Sequence, residues 1–109
     1  MTPWPKKPFI YEINTWVWLD SLSRSYNWPV TLENVPDKVI EELASYDVDA
    51  IWLMGIWHRS PAARSSALKY AAQYKPALPD LTYEDIIGSP FAVGSYVVDE
   101  NFGGRHGLA

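Results

Sequence analysis

The sequence predicts an α/β fold, and three consecutive segments carry that prediction. FIYEIN, from Phe9, is rich in the β-branched and aromatic residues that favour a strand. NVPDKVIEELASYD has the apolar spacing of an amphipathic helix, and DAIWLMGIW is a near-continuous apolar run typical of a strand in a parallel sheet. Strand, helix and strand in that order predict a parallel crossover unit, which is the opening part of an α/β barrel or sheet and is incomplete in this chain.

The first strand is predicted over about residues 9–14, with Phe9, Tyr11 and Ile13 on one face of the pleat. The segment that follows, DSLSRSYNWPVTLEN, is polar and rich in turn-forming residues. It therefore predicts an irregular connection, and long connections of this kind often carry function.

The first helix is predicted over about residues 35–46. Asn34 is the expected N-cap, Pro36 lies in the first turn where a missing N–H costs little, and Asp37 stands at the capping-box position. One apolar stripe is formed by Val39, Ile40, Leu43 and Ala44.

The second strand is predicted over about residues 50–56, and its continuous apolar character predicts burial on both faces. The two strands lie about 35 residues apart, the length of a crossover unit. Two strands alone would leave unpaired edges and uncovered apolar faces. We therefore expect the remaining strands to lie outside this sequence.

The later part of the chain predicts four shorter features. PAARSSALKYAAQYK has the Ala-rich composition of a helix over about residues 62–75. TYEDII predicts a single helical turn capped by Thr82, with Asp85 at the capping-box position. An extended segment is expected over residues 91–98, and a helix is expected to begin at Arg105.

Composition excludes several classes of protein. A hydrophobic fraction of 48% with 20% charged residues is typical of a globular chain and too apolar for a disordered one. The net charge of −4, without a basic cluster beyond Lys6 and Lys7, argues against nucleic acid or a membrane surface as partners. The absence of cysteine excludes disulfides, thiolate metal sites and a cysteine nucleophile. There is no apolar core of a signal peptide and no membrane-spanning run, so we expect a cytoplasmic protein.

No catalytic residue can be assigned from the sequence. Glycoside hydrolysis generally needs two facing carboxyl groups, and Glu12 and Asp49 lie away from the carboxyl ends of the predicted strands, where barrel enzymes act. His58 follows the second strand and is a candidate for ligand contact, although a lone histidine without a second ligand is more often an ordinary loop residue. No cofactor motif or metal-ligand spacing is present.

Three tryptophans, Trp16, Trp18 and Trp57, lie at or just beyond the carboxyl ends of the two predicted strands. Aromatic rings at a barrel mouth provide platforms for the C–H faces of sugars, and they also close the top of a core. The sequence leaves both readings open.

Three segments, IYEINTWVWL, NVPDKVIEELASYDVDAIWLMGIWHRSP and SPFAVGSYVVDENFGGRHGLA, together resemble the opening of the α-amylase family of glycoside hydrolases. In that family the first barrel strand reads like IYEIN, the second like AIWLMGI, and a segment of the form GYDVxDYxxVDPxFGT precedes the third. The likeness covers nearly the whole chain in order and spacing. It is closest to a branch with WLMGIW followed by RSP, where the common form is WLTPI.

The resemblance implies a (β/α)₈ TIM barrel and assigns roles to several positions. Phe91 stands for the family's Tyr that stacks on the sugar next to the cleaved bond, and it keeps the ring without the hydroxyl. Tyr96 and Asp99 match family positions, whereas Ser95 replaces an Asp and leaves local hydrogen bonding in doubt. Asp47 stands where relatives often have Gly, at a helix C-cap where Asp tolerates a left-handed conformation.

The family's nucleophilic Asp, acid/base Glu and second Asp follow later strands of the barrel. The resemblance thus implies an N-terminal segment of a retaining α-glucan hydrolase or transglycosidase, inert alone, with α-glucan or oligosaccharide as the substrate of the full-length protein. The resemblance does not specify which glycosidic linkage is cut, or whether water or another sugar accepts the glycosyl group. A structural calcium in the full-length protein is compatible with it. Two rivals remain: a non-catalytic amylase-like scaffold, and a free-standing module that binds carbohydrate or a partner through Trp16, Trp57 and Phe91.

Overall fold

The computed structural model describes residues 3–109 and shows a mixed α/β chain, as the sequence predicts. Its strands are β1 (Ile10–Asn14), β2 (Ala50–Met54), β3 (Trp57–Arg59) and β4 (Val93–Val98), and its α-helices are α1 (Thr15–Tyr26), α2 (Asp37–Ser45), α3 (Pro61–Leu68), α4 (Ala71–Tyr74) and α5 (Gly104–Leu108). Short 3₁₀ helices cover Tyr83–Asp85 and Glu100–Phe102. No helix within residues 3–109 has the length and apolar character needed to cross a membrane.

The strands form two separate pairs in the described part of the chain. β1 and β2 are parallel, with Ile10 opposite Ala50 and Asn14 opposite Met54. The segment between them contains two helices, α1 and α2, whereas the sequence predicts one. β3 and β4 pair antiparallel, and bulges interrupt their register.

The connection after β1 is helical as far as Tyr26, so the prediction of an irregular segment over residues 20–34 was wrong for its first part and is confirmed from Asn27 onward. α1 buries Thr15 and Leu19 one turn apart, and its polar residues occupy the exposed side. The Ser23 hydroxyl donates to the Leu19 carbonyl at 2.8 Å and accepts from the Val30 amide at 2.8 Å. The helix ends at Asn27, whose φ of 59° is left-handed. The polar residues from Asp20 to Tyr26, which suggested a loop, therefore belong to the solvated face of a helix.

α2 begins at Asp37, two residues later than predicted, and Asn34 is not its N-cap. The Asn34 side chain instead accepts a hydrogen bond from the Thr31 amide at 2.7 Å, which closes the preceding turn. Val39 and Leu43 of the predicted stripe are buried. Beyond the helix, Asp47 has a φ of 54°, the left-handed conformation expected at this position.

β2 is not buried on both faces as its apolar sequence predicts. Ile51 is 41% exposed and Trp52 is 53% exposed. Side chains of α2 lie over one face of the β1–β2 pair, where Ile40 and Leu43 line a cavity together with Ile51 and Leu53. Within residues 3–109 the two strands pair only with each other, and this accounts for the exposure.

β2 ends at Met54 rather than at residue 56, because Gly55 turns the chain with a φ of 74°. The following residues form β3, so His58 lies in a strand opposite Ser95 and not in a loop. The helix predicted over residues 62–75 is divided into α3 and α4. The turn after Thr82 is as predicted, since the Thr82 amide donates to the Asp85 carboxylate at 2.8 Å.

The principal core is built from α1, the segment after it, the turn between β2 and β3, the end of β4 and the 3₁₀ helix that follows, and the chain around it is open. The buried cluster consists of Leu19, Val30, Ile56, Val98 and Phe102. The accessible surface of 8241 Å² is roughly a third above the about 6,100 Å² expected of a compact monomer of this mass. The radius of gyration of 16.5 Å likewise exceeds the about 13 Å of a compact domain of this length. Much apolar surface is consequently left uncovered.

Candidate functional site

Two of the residues predicted to contact a ligand, Trp57 and Phe91, line one cavity of about 160 Å³ at the carboxyl end of β2. They are brought together from segments more than thirty residues apart in the sequence. The other lining residues are Trp52, Leu53, Met54, Gly55, Pro90 and Val93. The lining is thus almost wholly apolar and aromatic, and it contains no carboxylate.

Gly55 is what allows the Phe91 ring to approach the end of β2. A Cβ atom at Gly55 would lie 3.0 Å from the Pro90 Cβ and 3.4 Å from the Phe91 Cε1. The left-handed φ of 74° at Gly55 also disfavours any other residue. One glycine therefore both turns the chain and makes room for the predicted stacking ring.

Tyr96 on β4 extends the aromatic surface. Its ring packs edge-on against Trp57, with centroids 5.5 Å apart and an interplanar angle of 78°. Tyr96 is 78% exposed and Phe91 is 55% exposed. We call Trp57, Phe91 and Tyr96 the aromatic rim. Two of its three rings offer accessible surface to a ligand.

Trp16 does not join the aromatic rim. Its ring packs against Phe102, at a centroid distance of 4.7 Å, and Phe102 is only 1% exposed. The guanidinium carbon of Arg59 lies 4.5 Å from the centroid of the Trp16 ring. Of the two readings of this tryptophan, the structure therefore places it in core packing, half-buried beside the site.

Arg59 is a residue that the sequence reasoning overlooked. Its Nη1 donates to the Gly88 carbonyl, and its buried Nε has no hydrogen-bond partner among residues 3–109. Burial lowers the pKa of Arg59, and the nearby carboxylate of Asp99 opposes that shift. The sequence carries no signal for this role, because residues 57–59 follow the predicted second strand and form β3 only by pairing with β4.

His58 faces Ser95 across the β3–β4 ladder, with 3.5 Å between Nδ1 and the Ser95 hydroxyl. That separation is at the outer limit of a hydrogen bond, so the contact is weak. No group of three or more His, Asp or Glu side chains that could hold a metal ion occurs in residues 3–109. His58 borders the aromatic rim through its neighbour Trp57, without lining the cavity.

Asp99 serves the turn after β4. Its carboxylate accepts hydrogen bonds from the Asn101 amide at 2.9 Å and from the Asn101 side chain at 2.7 Å. Its own amide donates to the Ile56 carbonyl at 2.7 Å. The group is therefore engaged in fixing the Glu100–Phe102 helix rather than directed at a ligand.

Larger cavities lie beside α4, away from the predicted residues. One of about 400 Å³ is bordered by Ala71, Leu81 and Tyr83, and another of about 480 Å³ by Tyr74, Leu78 and Ile87. Neither is lined by Trp57 or Phe91. We favour the cavity lined by Trp57 and Phe91 as the candidate site, because its aromatic lining matches the sugar stacking that the sequence predicts.

Comparisons with family models, with curated proteins and with solved structures find no significant match to this chain.

Proposed function

We propose that this chain is the N-terminal part of an α-amylase-type glycoside hydrolase or transglycosidase that acts on α-glucans. In this proposal the chain supplies wall of the substrate pocket and the first strands of a (β/α)₈ barrel. The observation that carries it is the meeting of Trp57 and Phe91 in one cavity at the carboxyl end of β2. That end of the strands is where barrel enzymes bind their substrates.

The chemistry of the aromatic rim suits a sugar. A pyranose ring presents C–H groups on its faces and hydroxyl groups at its edge, so an aromatic ring stacks on it while the hydroxyls stay hydrated. Phe91 offers 55% of its surface for that purpose, and its lack of a hydroxyl confines it to stacking. We expect affinity from Phe91 and hydrogen-bonding specificity from other residues.

Uncovered surface also supports the barrel. β1 and β2 are parallel, and each has one edge without a strand partner within residues 3–109. The face of this pair that carries Trp52, 53% exposed, is the one that additional barrel strands would cover. A complete barrel would supply those neighbours.

Retaining hydrolysis needs two carboxyl groups about 5–5.5 Å apart across the scissile bond. None of the residues that line the cavity is Asp or Glu. The nucleophile and the acid/base are therefore assigned to parts of the protein beyond these residues, and the isolated chain is expected to be inert.

The test is an assay of the complete protein, purified from its source, on starch, maltooligosaccharides and trehalose. We expect a native mass several-fold above 12.4 kDa and products that keep the anomeric configuration of the substrate. Absence of turnover on all three substrates would contradict the enzymatic proposal.

One observation favours a second candidate, a free-standing binding module of non-catalytic function. The exposed rings of Phe91 and Tyr96 could bind an oligosaccharide without any barrel. In that case the native mass would equal 12.4 kDa, and the chain would bind maltoheptaose and unfold cooperatively without turning it over.

A further inference from the structure

We propose that Arg59 is a positioning residue, which couples Trp16 to the loop that carries Phe91 and so holds the Phe91 ring at the cavity. Its consequence for sugar binding rests on the proposed function. The coupling itself can be measured without a ligand.

The Arg59 side chain reaches two segments at once. Its guanidinium carbon lies 4.5 Å from the centroid of the Trp16 ring at the start of α1. Its Nη1 donates to the carbonyl of Gly88, three residues before Phe91. One side chain on β3 therefore contacts both Trp16 at the start of α1 and the loop that leads to Phe91.

The loop is held on the other side of Phe91 by the backbone. The Ser60 amide, next to Arg59, donates to the Ala92 carbonyl at 2.7 Å. Phe91 is thus bracketed by two hydrogen bonds from adjacent residues, Arg59 at the end of β3 and Ser60 just before α3. Loss of the Arg59 bond would remove the side-chain hydrogen bond on the Gly88 side of the loop and leave the Ala92 side attached.

The base of the Arg59 side chain is also fixed. A Cβ at Gly94 would lie 2.6 Å from the Arg59 carbonyl oxygen, so the two strands approach as closely as glycine permits. Because the backbone cannot shift easily, a change of the Arg59 side chain should be felt at its tip, by Trp16 and Gly88.

Lysine could not replace arginine in this role. A guanidinium stacks its plane on an aromatic ring while its in-plane N–H groups remain free to donate, whereas an ammonium is a compact point charge on a flexible stem. The Arg59 guanidinium lies over the Trp16 ring and donates to Gly88, so its position fits both properties. We therefore expect Arg59→Lys to keep the charge and lose the coupling.

Fluorine NMR of the chain labelled with para-fluorophenylalanine offers a direct readout, because the sequence has three Phe residues. Phe102 packs on Trp16, Phe91 reports on the loop, and Phe9, 75% exposed before β1, is an internal reference. Arg59→Lys should shift the Phe91 and Phe102 resonances together and leave Phe9 unchanged.

A matched control is Arg64→Lys. Arg64 also donates to a backbone carbonyl, that of Tyr83 at 3.3 Å, but it touches none of the aromatic rim. It should move neither the Phe91 nor the Phe102 resonance. If Arg59→Lys moves neither, or only that of Phe102, the coupling is disproved. A shift of all three, Phe9 included, would show general loosening and would also overturn the proposal.

Titration with maltoheptaose then measures the consequence for binding. Arg59→Lys should raise the Kd about fivefold to tenfold, and Arg64→Lys should leave it unchanged. In a Phe91→Ala background, Arg59→Lys should weaken binding no further, since it acts through that ring. An additive effect, or no effect in the wild-type background, would refute a positioning role. If the unaltered chain binds no maltoheptaose, binding through the aromatic rim fails while the NMR comparison still decides the coupling.

Discussion

Two isoleucines on opposite faces of β1 differ sharply in burial. Ile13, on the face over which α2 lies, is 5% exposed. Ile10, three residues earlier and on the opposite face, is 50% exposed. Isoleucine is therefore a core residue at position 13 and a surface residue at position 10 of the same strand.

This difference shows what an apolar strand specifies by itself. The near-continuous apolar run of β2 favours burial on both faces, but the neighbouring elements decide which face is buried. α2 brings Leu43 to one face, whereas Trp52 on the other face is 53% exposed and borders the cavity that Phe91 lines. The amylase-type proposal predicts that the difference disappears in a complete barrel.

The largest expected loss of stability is at Ile13, on the face of the β1–β2 pair over which α2 lies. Ile13→Thr should lower the free energy of unfolding by about 2–4 kcal/mol, because it removes buried methyl groups and buries a hydroxyl, while it keeps the β-branched shape. The measurement is urea unfolding of the chain, followed by tryptophan fluorescence. A loss below about 0.5 kcal/mol would mean that α2 does not pack on β1 as described.

The next effect is at Gly55, where the sheet meets the aromatic rim. Gly55→Ala should cost about 1–3 kcal/mol, since alanine is strained at a φ of 74° and its Cβ would meet Pro90. The Phe91 ring should be displaced as well, and its fluorine resonance should report that. Gly104→Ala is the control, because Gly104 also has a positive φ but has open space around it. Equal behaviour of the two variants would show that strain alone matters at Gly55.

Local patterns predicted local structure well. The strands β1 and β2 follow from residue propensity, α2 from its apolar periodicity and the Thr82–Asp85 turn from its capping residues, all of which lie within a few positions of each other. The left-handed Asp47 was likewise expected. These features depend on short-range chemistry, which is fully present in the sequence.

Features decided by distant contacts were missed. α1 is polar on one side, and its amphipathic character becomes clear only when Leu19 is seen to pack in the buried cluster. β3 exists because β4, more than thirty residues later, pairs with it. Arg59 drew no attention because its significance depends on Trp16 and Gly88, which only the fold brings together.

A smaller, local effect is expected at Asp85, far from the covered face. Asp85→Ala should remove the acceptor for the Thr82 amide and cost about 1 kcal/mol. Hydrogen exchange of the Thr82 amide should become faster. If the whole chain unfolds as one unit, the urea midpoint falls as well; if only exchange near Thr82 changes, this region opens independently of the β1–β2 pair.

The smallest loss of stability is expected at Ile10, on the face opposite α2, and it gives the most direct comparison with Ile13. Ile10→Thr is the same substitution as Ile13→Thr on the same strand, so any difference between the two reports burial and not strand propensity. With Ile10 half exposed, the change should alter the free energy of unfolding of this chain by less than about 0.5 kcal/mol. Placed in the complete protein, the same variant should become costly, because further barrel strands would bury Ile10. If Ile10→Thr stays neutral there, that face remains open to solvent and the barrel proposal loses its structural support.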